Sequence, residues 1–250
     1  MTDVERNELV ELIALTGLGS EPEIRLVSRA GDPGRRLGVF SSSFNPLTVA
    51  HIEVMRAAAD AVGLDELVAL AGKTNADKSS YECPLESRIE MLMAGLSYTA
   101  NMSIGISSSA FFVDKVDAFA RVYPPSTRLH FIVGFDTFER IIDVGQRYTA
   151  SYHRRFAGRE EALRHLLSAC RLIVAPRLDK GFEEFQSLAA RAPSGLEDRC
   201  VYLDLAPELR RRSSSEVRRR LAAGEPVTGL VPAAVERYIE EHRLYRLESA

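Results

Sequence analysis

Residues 37–51 read LGVFSSSFNPLTVAH, and this stretch gives the clearest indication of the fold of the chain. It opens with a short apolar, β-prone run without alternation, a pattern typical of a strand covered on both faces. Three serines follow, and small residues let the backbone turn sharply at a strand end. Asn45 and Pro46 favour that turn, and Pro46 stands just ahead of a helix start, where its missing N–H is harmless. Residues 48–62 show helical periodicity that stops at Gly63, so the stretch predicts a strand–turn–helix unit.

The same alternation continues along the chain. Predicted strands follow at 66–71, 102–107, 129–133, 172–175 and 200–203, and predicted helices at 86–98, 113–121, 160–168, 182–191, 215–223 and 232–242. Strands that alternate with helices indicate parallel βαβ units. The expected fold is therefore α/β, a Rossmann-like doubly wound parallel sheet with helices on both faces and a C-terminal helical segment. Such sheets bind ligands outside the carboxyl ends of their strands.

The chain before this alternation differs in pattern. Residues 4–16 read as a short amphipathic helix, residues 23–28 could form a short strand, and the turn signal at 31–34 marks a candidate boundary. We predict an N-terminal helical extension over residues 1–34, whose role the sequence leaves open. The main domain is expected over 35–250, including C-terminal helices from about residue 213.

Composition excludes several classes of protein. The chain has 250 residues, 46% of them hydrophobic and 27% charged, which is ordinary for a globular protein. A net charge of -3 argues against a strongly basic nucleic-acid binder or a polybasic membrane tether. Three distant cysteines predict neither a disulfide scaffold nor a zinc-finger type site. With no run of 18 apolar residues and no signal-peptide pattern, the expected compartment is the cytoplasm, without membrane contact.

Two motifs carry anion-binding chemistry. Thr48 and His51 lie three residues apart on the first turn of the predicted helix, so a hydroxyl and an imidazole could both reach phosphate oxygens. The alternative interpretation is a helix cap with an incidental histidine. Residues 212–218 read RSSSEVR, which places serines before another helix and Arg218 one turn into it. The alternative there is a solvated basic helix start.

The first motif resembles the signature of the nucleotidylyltransferase superfamily. Within it, the string S-F-N-P-x-T-x-x-H is most similar to nicotinamide or nicotinate mononucleotide adenylyltransferases, and RSSSEVR resembles their phosphate-binding serine motif. The resemblance covers roughly residues 37–245. It implies adenylyl transfer from ATP to a pyridine mononucleotide, which gives NAD or its deamido form plus pyrophosphate, by in-line attack without a covalent intermediate. It also implies Mg²⁺ held mainly through the substrate phosphates.

The resemblance implies a role for each matching residue. Expected catalytic residues are His51, Thr48 and Lys78. Expected ATP-binding residues are Ser43, Phe44, His51, Gly134, Asp136, Ser214, Ser215 and Arg218. Expected acceptor-binding residues are Ser43, Asn45, Lys73, Arg88, Phe111, Phe112 and Tyr148. Among these, Lys73 and Lys78 could be solvated loop lysines, Asp136 could be only a helix cap, and Arg88 could either bind the substrate phosphate or brace its loop.

The acceptor itself stays open. The chain contains no Trp, whereas the family commonly stacks the pyridine ring on one, so Phe111, Phe112 or Tyr148 would have to replace it. The alternatives are another phosphorylated acceptor, such as a phosphopantetheine, and a nucleotide-binding regulator that has lost catalysis. The sequence does not distinguish an amidated from an acidic pyridine. It does not determine the oligomeric state either, although the superfamily often forms homo-oligomers.

Overall fold

A computed structural model of the chain describes residues 2–74, 83–97, 99–142 and 155–246. Within these residues, seven strands form one sheet in the order β1-β4-β3-β2-β5-β6-β7. The strands are β1 Ile24–Ser28, β2 Arg36–Ser42, β3 Glu66–Gly72, β4 Met102–Ser107, β5 Arg128–Gly134, β6 Cys170–Ala175 and β7 Cys200–Tyr202. Every neighbouring pair is parallel except β1 with β4, which is antiparallel.

Helices cover both faces of this sheet. They are α1 Asp3–Leu15, α2 Val49–Val62, α3 Leu85–Leu96, α4 Phe112–Val122, α5 Phe135–Ile142, α6 Arg159–Ala169, α7 Phe182–Ala189, α8 Pro207–Arg211, α9 Ser214–Ala222 and α10 Ala233–Glu241. Buried residues of α2 and α3 belong to one hydrophobic cluster, and those of α4 to α7 belong to another on the opposite face. The predicted α/β Rossmann-like fold is confirmed.

The strand order places a switch point between β2 and β5. One half runs outward through β3 and β4, and the other through β6 and β7. Ligands bind in the crevice at the carboxyl ends of the strands where such an order reverses. The strand that pairs antiparallel at the edge, β1, comes from residues 1–34, so the predicted extension contributes to the sheet itself.

Two of the helices in the described ranges were not predicted from the sequence. Helix α5 begins directly after β5, and its buried residues Phe135, Phe138 and Ile141 follow helical spacing. The short helix α8 is the other.

The C-terminal helices are tied to the N-terminal part of the chain by a buried carboxylate. Glu90 on α3 accepts a hydrogen bond from the Tyr238 hydroxyl of α10 and pairs with Arg6 of α1 at 3.1 Å.

No described helix combines the length and apolar character needed to cross a membrane. The three cysteines are buried free thiols.

Candidate active site

The first sequence motif folds as a capped helix start at the carboxyl end of β2. Thr48 is the N-cap of α2, and its hydroxyl oxygen accepts the backbone N–H of His51 at 3.3 Å. In return, Nδ1 of His51 accepts the backbone N–H of Thr48 at 3.0 Å and lies 2.8 Å from the Thr48 hydroxyl. This is a capping box with a histidine in the position usually held by Glu or Gln. Because Nδ1 accepts, a neutral ring carries its proton on Nε2.

The surroundings of His51 keep it neutral. Its ring packs 5.1 Å from the ring of Phe44 and 5.6 Å from that of Phe40, centroid to centroid. Burial lowers the pKa of His51 to about 4, and the positive charge of Arg177 contributes in the same direction. In the part of the chain that the structure describes, Nε2 of His51 has no hydrogen-bond partner. The ring therefore presents one N–H donor at neutral pH.

The free backbone donors expected at the start of α2 are partly used within the protein. The N–H of Val49 donates to the carbonyl of Leu230 at 2.9 Å, and that of His51 donates to Thr48. The side chain of His51, whose Nε2 has no partner among the described residues, is one donor that this turn leaves for a ligand. Phe44 is fully buried, so only its backbone can meet a substrate.

The second motif lies directly against the first. Ser213 caps α9 by accepting the N–H of Glu216 at 3.2 Å. The Ser214 hydroxyl donates to the carbonyl of Pro46 at 2.9 Å, and the Arg218 guanidinium donates to the carbonyl of Asn45 at 2.9 Å. Two motifs more than 160 residues apart in the chain thus form one structure. The observed contacts of Ser214 and Arg218 hold the 45–46 turn in place.

The starts of α2 and α9 open onto a shared cavity of about 510 Å³. Its lining residues are Thr48, Arg211, Arg212, Ser213, Ser215, Glu216, Val217, Arg219, Arg220 and Leu230. Glu216 pairs with Arg219 at 2.9 Å and with Arg220 at 2.7 Å, and these pairs hold its pKa at about 2. A helix N-terminus surrounded by arginines and hydroxyls can bind a polyphosphate.

Gly134 and Asp136 lie across the switch point, at the end of β5. A Cβ added at Gly134 would meet nothing within 4 Å, so packing does not require a glycine there. Its backbone is instead open to close approach by a ligand. Asp136 lies in the first turn of α5 with its carboxylate half-exposed, 3.2 Å from Nε of Arg177 and 3.9 Å from Nζ of Lys180.

Comparison with known proteins identifies the family to which the chain belongs. The family model described as cytidylyltransferase-like matches residues 39–220, a span that contains both motifs and the end of β5. The chain belongs to the cytidylyltransferase-like family. It is a nucleotidyltransferase, as the first motif indicated.

Proteins similar to this chain have names more specific than that of the family. "Probable nicotinate-nucleotide adenylyltransferase" of Gemmatimonas aurantiaca is 30% identical over 222 residues, covering 84% of this chain and 92% of the relative. The protein of the same name from Dehalococcoides mccartyi strain CBDB1 is 28% identical over 216 residues, covering 84% and 97%. The structure of Plasmodium falciparum nicotinic acid mononucleotide adenylyltransferase complexed with NaAD shares the fold, with a TM-score of 0.60. The match covers 84% of this chain and 97% of that chain, at 18% sequence identity.

Two residues of this cytidylyltransferase-like site, Arg177 and Lys180, were not predicted from the sequence. Both follow β6, one strand beyond β5, and both pair with Asp136. The sequence does place these two cations shortly after a predicted buried strand. That they lie near Asp136 follows only from the sheet order, in which β6 ends beside β5.

Two of the expected acceptor-binding residues, Arg88 and Asn45, make hydrogen bonds within the protein. Arg88 is buried and donates to the Ser43 carbonyl at 2.7 Å and to the Gly72 carbonyl at 3.4 Å, so it braces the loops after β2 and β3. Bracing is one of the two roles expected for it. Asn45 is buried, and its Oδ1 accepts the hydroxyl proton of Tyr245 at 2.6 Å.

Other expected residues lie elsewhere or outside the description. The Lys73 ammonium caps α1, donating to the carbonyls of Ile13 at 3.0 Å and Thr16 at 2.8 Å, which differs from the acceptor contact expected. Phe112 is partly buried and packs edge-on against Phe131 of β5 at 5.1 Å, and its role in stacking the acceptor stays a prediction. Lys78 and Tyr148 lie outside the described residues.

Proposed function

We propose that this nucleotidyltransferase transfers the adenylyl group of ATP to a pyridine mononucleotide, with nicotinate mononucleotide as the acceptor. The observation that carries the proposal is the neutral His51 N–H, fixed by Thr48 at the start of α2 and joined there by α9. The names of the relatives from G. aurantiaca and D. mccartyi support the pyridine acceptor.

The reaction needs positioning more than proton transfer. An oxygen of the acceptor's 5′-phosphate attacks the α-phosphorus of ATP, and the bond from that phosphorus to the bridging oxygen breaks. Pyrophosphate leaves with the bonding electrons, and a new phosphoanhydride bond joins the two nucleotides. Since the attacking phosphate is already an anion, the protein has no base to supply and forms no covalent intermediate.

His51 acts on the reacting phosphate in this proposal. Its Nε2–H donates to a non-bridging oxygen of the α-phosphate, where negative charge accumulates in the transition state. Neutrality suits this role because the ring stays a fixed donor and gives up no proton. Thr48 holds the ring by its backbone N–H and its hydroxyl, so its action is to orient His51.

The β- and γ-phosphates occupy the cavity at the start of α9. Ser215, the N–H groups of the first turn and the arginines that line the cavity supply donors and positive charge. Arg177 and Lys180 extend that positive charge toward the end of β5. The open backbone of Gly134 and the carboxylate of Asp136 receive the ATP ribose, whose hydroxyls are donors that a carboxylate accepts.

Magnesium is proposed to reach the site with the phosphates. Mg²⁺ prefers oxygen ligands and keeps several waters, so phosphate oxygens can hold it with little help from the protein. The described residues contain no group of three or more His, Cys, Asp or Glu that could hold a metal ion. The chemistry Mg²⁺ supplies when bound is neutralisation of phosphate charge.

The test is an acceptor panel. The protein is incubated with ATP, Mg²⁺ and one of nicotinate mononucleotide, nicotinamide mononucleotide or phosphopantetheine, and pyrophosphate and the dinucleotide product are measured. We expect equal amounts of pyrophosphate and dinucleotide with a pyridine mononucleotide, and none without an acceptor. Turnover with phosphopantetheine alone would assign another acceptor. ATP binding without pyrophosphate release from any acceptor would indicate a regulator.

A further inference from the structure

The N-terminal extension packs along the edge of the sheet at which the candidate active site lies. The match to the family model begins at residue 39, so the extension is additional to the segment that the family shares. Strand β1 of the extension pairs with β4, and Ile24 lies opposite Ser107, the last residue of β4. Thr16, which follows α1, is fully buried. The end of α1 and the start of β1 therefore lie where β4 reaches the carboxyl edge of the sheet.

Lys73, the residue directly after β3, joins the extension to the end of that strand. Its backbone N–H donates to the carbonyl of Ser107 at 2.9 Å, which continues the pairing of β3 with β4. Its ammonium donates to the carbonyls of Ile13 at 3.0 Å and Thr16 at 2.8 Å. The last carbonyls of a helix lack partners within the helix and favour a cation, and α1 has no basic residue in its own last turn. Lys73 supplies that cation from another segment.

A second set of contacts joins the extension to the residue after β4. The N–H of Glu23 donates to the Ser108 hydroxyl oxygen at 2.9 Å, and the N–H of Ser108 donates to the Glu23 carbonyl at 3.0 Å. The N–H of Gly17 donates to the carboxylate of Glu23 at 2.8 Å. Gly17 has a φ of +80°, and a Cβ there would lie 2.5 Å from the Cβ of Ser108. A glycine is therefore required for the extension to approach β4 this closely.

The contacts continue from these strand ends into the first motif. The hydroxyl of Thr74 donates to the carbonyl of Ser108 at 2.9 Å, which links the chain after β3 to the chain after β4. On the other side of Lys73, the carbonyl of Gly72 accepts a hydrogen bond from Arg88, which also donates to the carbonyl of Ser43. Ser43 belongs to the motif that carries His51. An unbroken series of contacts thus runs from α1 through the end of β3 to the candidate active site, the kind of network that can transmit positioning.

The proposed reaction gives this part of the edge a use. In an in-line displacement the attacking oxygen lies opposite the leaving group. Pyrophosphate leaves toward the start of α9, and the ATP ribose lies at the end of β5, so the half of the sheet with β3 and β4 is left for the acceptor. The extension therefore borders the acceptor's half of the crevice.

We propose that the N-terminal extension is a brace that positions the ends of β3 and β4 for the acceptor, with Lys73 as the positioning residue. This inference rests on the proposed function. Lys73 acts without touching the substrate, because its ammonium is directed to the carbonyls at the end of α1. Coupling of this kind is reciprocal: if the brace favours acceptor binding, the bound acceptor stabilises the brace by the same factor.

The first test separates the KM for the acceptor from kcat and from the KM for ATP. Lys73→Met removes the ammonium and should raise the KM for nicotinate mononucleotide about fivefold or more, with kcat and the KM for ATP within about twofold. Lys73→Arg keeps the charge and the donors, so it should stay near the wild type. Gly17→Ala perturbs the extension from its own side and should raise the same KM. Gly19→Ala is its matched control, because a Cβ there meets nothing within 4 Å.

A second readout does not depend on turnover. Nicotinate mononucleotide, added with a non-hydrolysable ATP analogue, should slow hydrogen exchange of the α1 amides about fivefold in the wild type and leave it unchanged in Lys73→Met.

Three results would overturn the inference. The first is an unchanged acceptor KM in both Lys73→Met and Gly17→Ala. The second is a raised KM in Lys73→Met alone, without protection of α1 by the ligands, which would assign Lys73 a direct contact with the acceptor. The third is an equal rise of the KM for ATP and for the acceptor, which would indicate a general loss of structure. No turnover of either pyridine mononucleotide by the wild type would instead refute the proposed function.

Discussion

Replacing His51 by Ala separates its chemical role from its structural one. The proposed hydrogen bond from Nε2 to the α-phosphate acts in the transition state, and removing one such donor lowers kcat by about a hundredfold to a thousandfold. The structural cost is smaller. The backbone N–H of Thr48 loses its acceptor, Nδ1 of His51, which costs about 1 kcal/mol as for other helix caps, and Phe40 and Phe44 lose one ring contact each.

The assay measures kcat from pyrophosphate release with saturating ATP and nicotinate mononucleotide, and stability from urea unfolding. The matched control is His165→Ala, because His165 on α6 is a partly buried histidine that is hydrogen-bonded to Asp117 on α4. The control should keep the wild-type kcat. A drop in kcat of less than about tenfold for His51→Ala would remove this side chain from the reacting phosphate.

The same residue links stability to pH. The folded-state pKa of His51 is about 4, below the value of about 6.5 for an exposed histidine, so the unfolded chain binds the proton more tightly. The stabilisation is complete above pH 6.5 and is lost as the pH falls toward 4, by about 3 kcal/mol in total. His51→Ala should lose correspondingly less over that interval. Equal pH dependence of the two unfolding free energies would contradict a neutral, partly buried His51.

Three further substitutions test the site. Gly134→Val should keep the free energy of unfolding within about 0.5 kcal/mol, because a Cβ meets nothing there, yet raise the KM for ATP more than about tenfold; a stability loss with an unchanged KM would contradict this. Arg88→Met should cost about 3 kcal/mol in urea unfolding, because two partly buried carbonyls lose their donor, and a loss under about 1 kcal/mol would refute the bracing role. Tyr245→Phe should cost about 1 kcal/mol through the lost hydrogen bond to Asn45, and unchanged stability would show that this bond contributes little.

Local signals explain why much of the fold was predictable. The cap at Thr48 and the left-handed Gly63 both belong to a few adjacent residues, so the sequence predicts the start and the end of α2. Helix α5 was not predicted, because the chain passes from β5 into this short helix with no intervening residue to mark its start.

The rest of the site depends on contacts between distant segments. That Lys73 caps α1 follows from the packing of the N-terminal helix beside the loop after β3. Arg177 reaches Asp136 because β6 lies next to β5. Packing of this kind cannot be read from spacing within one segment.

The most direct test of the account is a crystal structure with a non-hydrolysable ATP analogue, Mg²⁺ and nicotinate mononucleotide bound together. We expect a non-bridging α-phosphate oxygen within about 3.2 Å of Nε2 of His51, with the β- and γ-phosphates in the cavity at the start of α9. The acceptor phosphate should lie in line with the bond that breaks. An α-phosphate bound away from His51, or a triphosphate bound outside that cavity, would contradict the account.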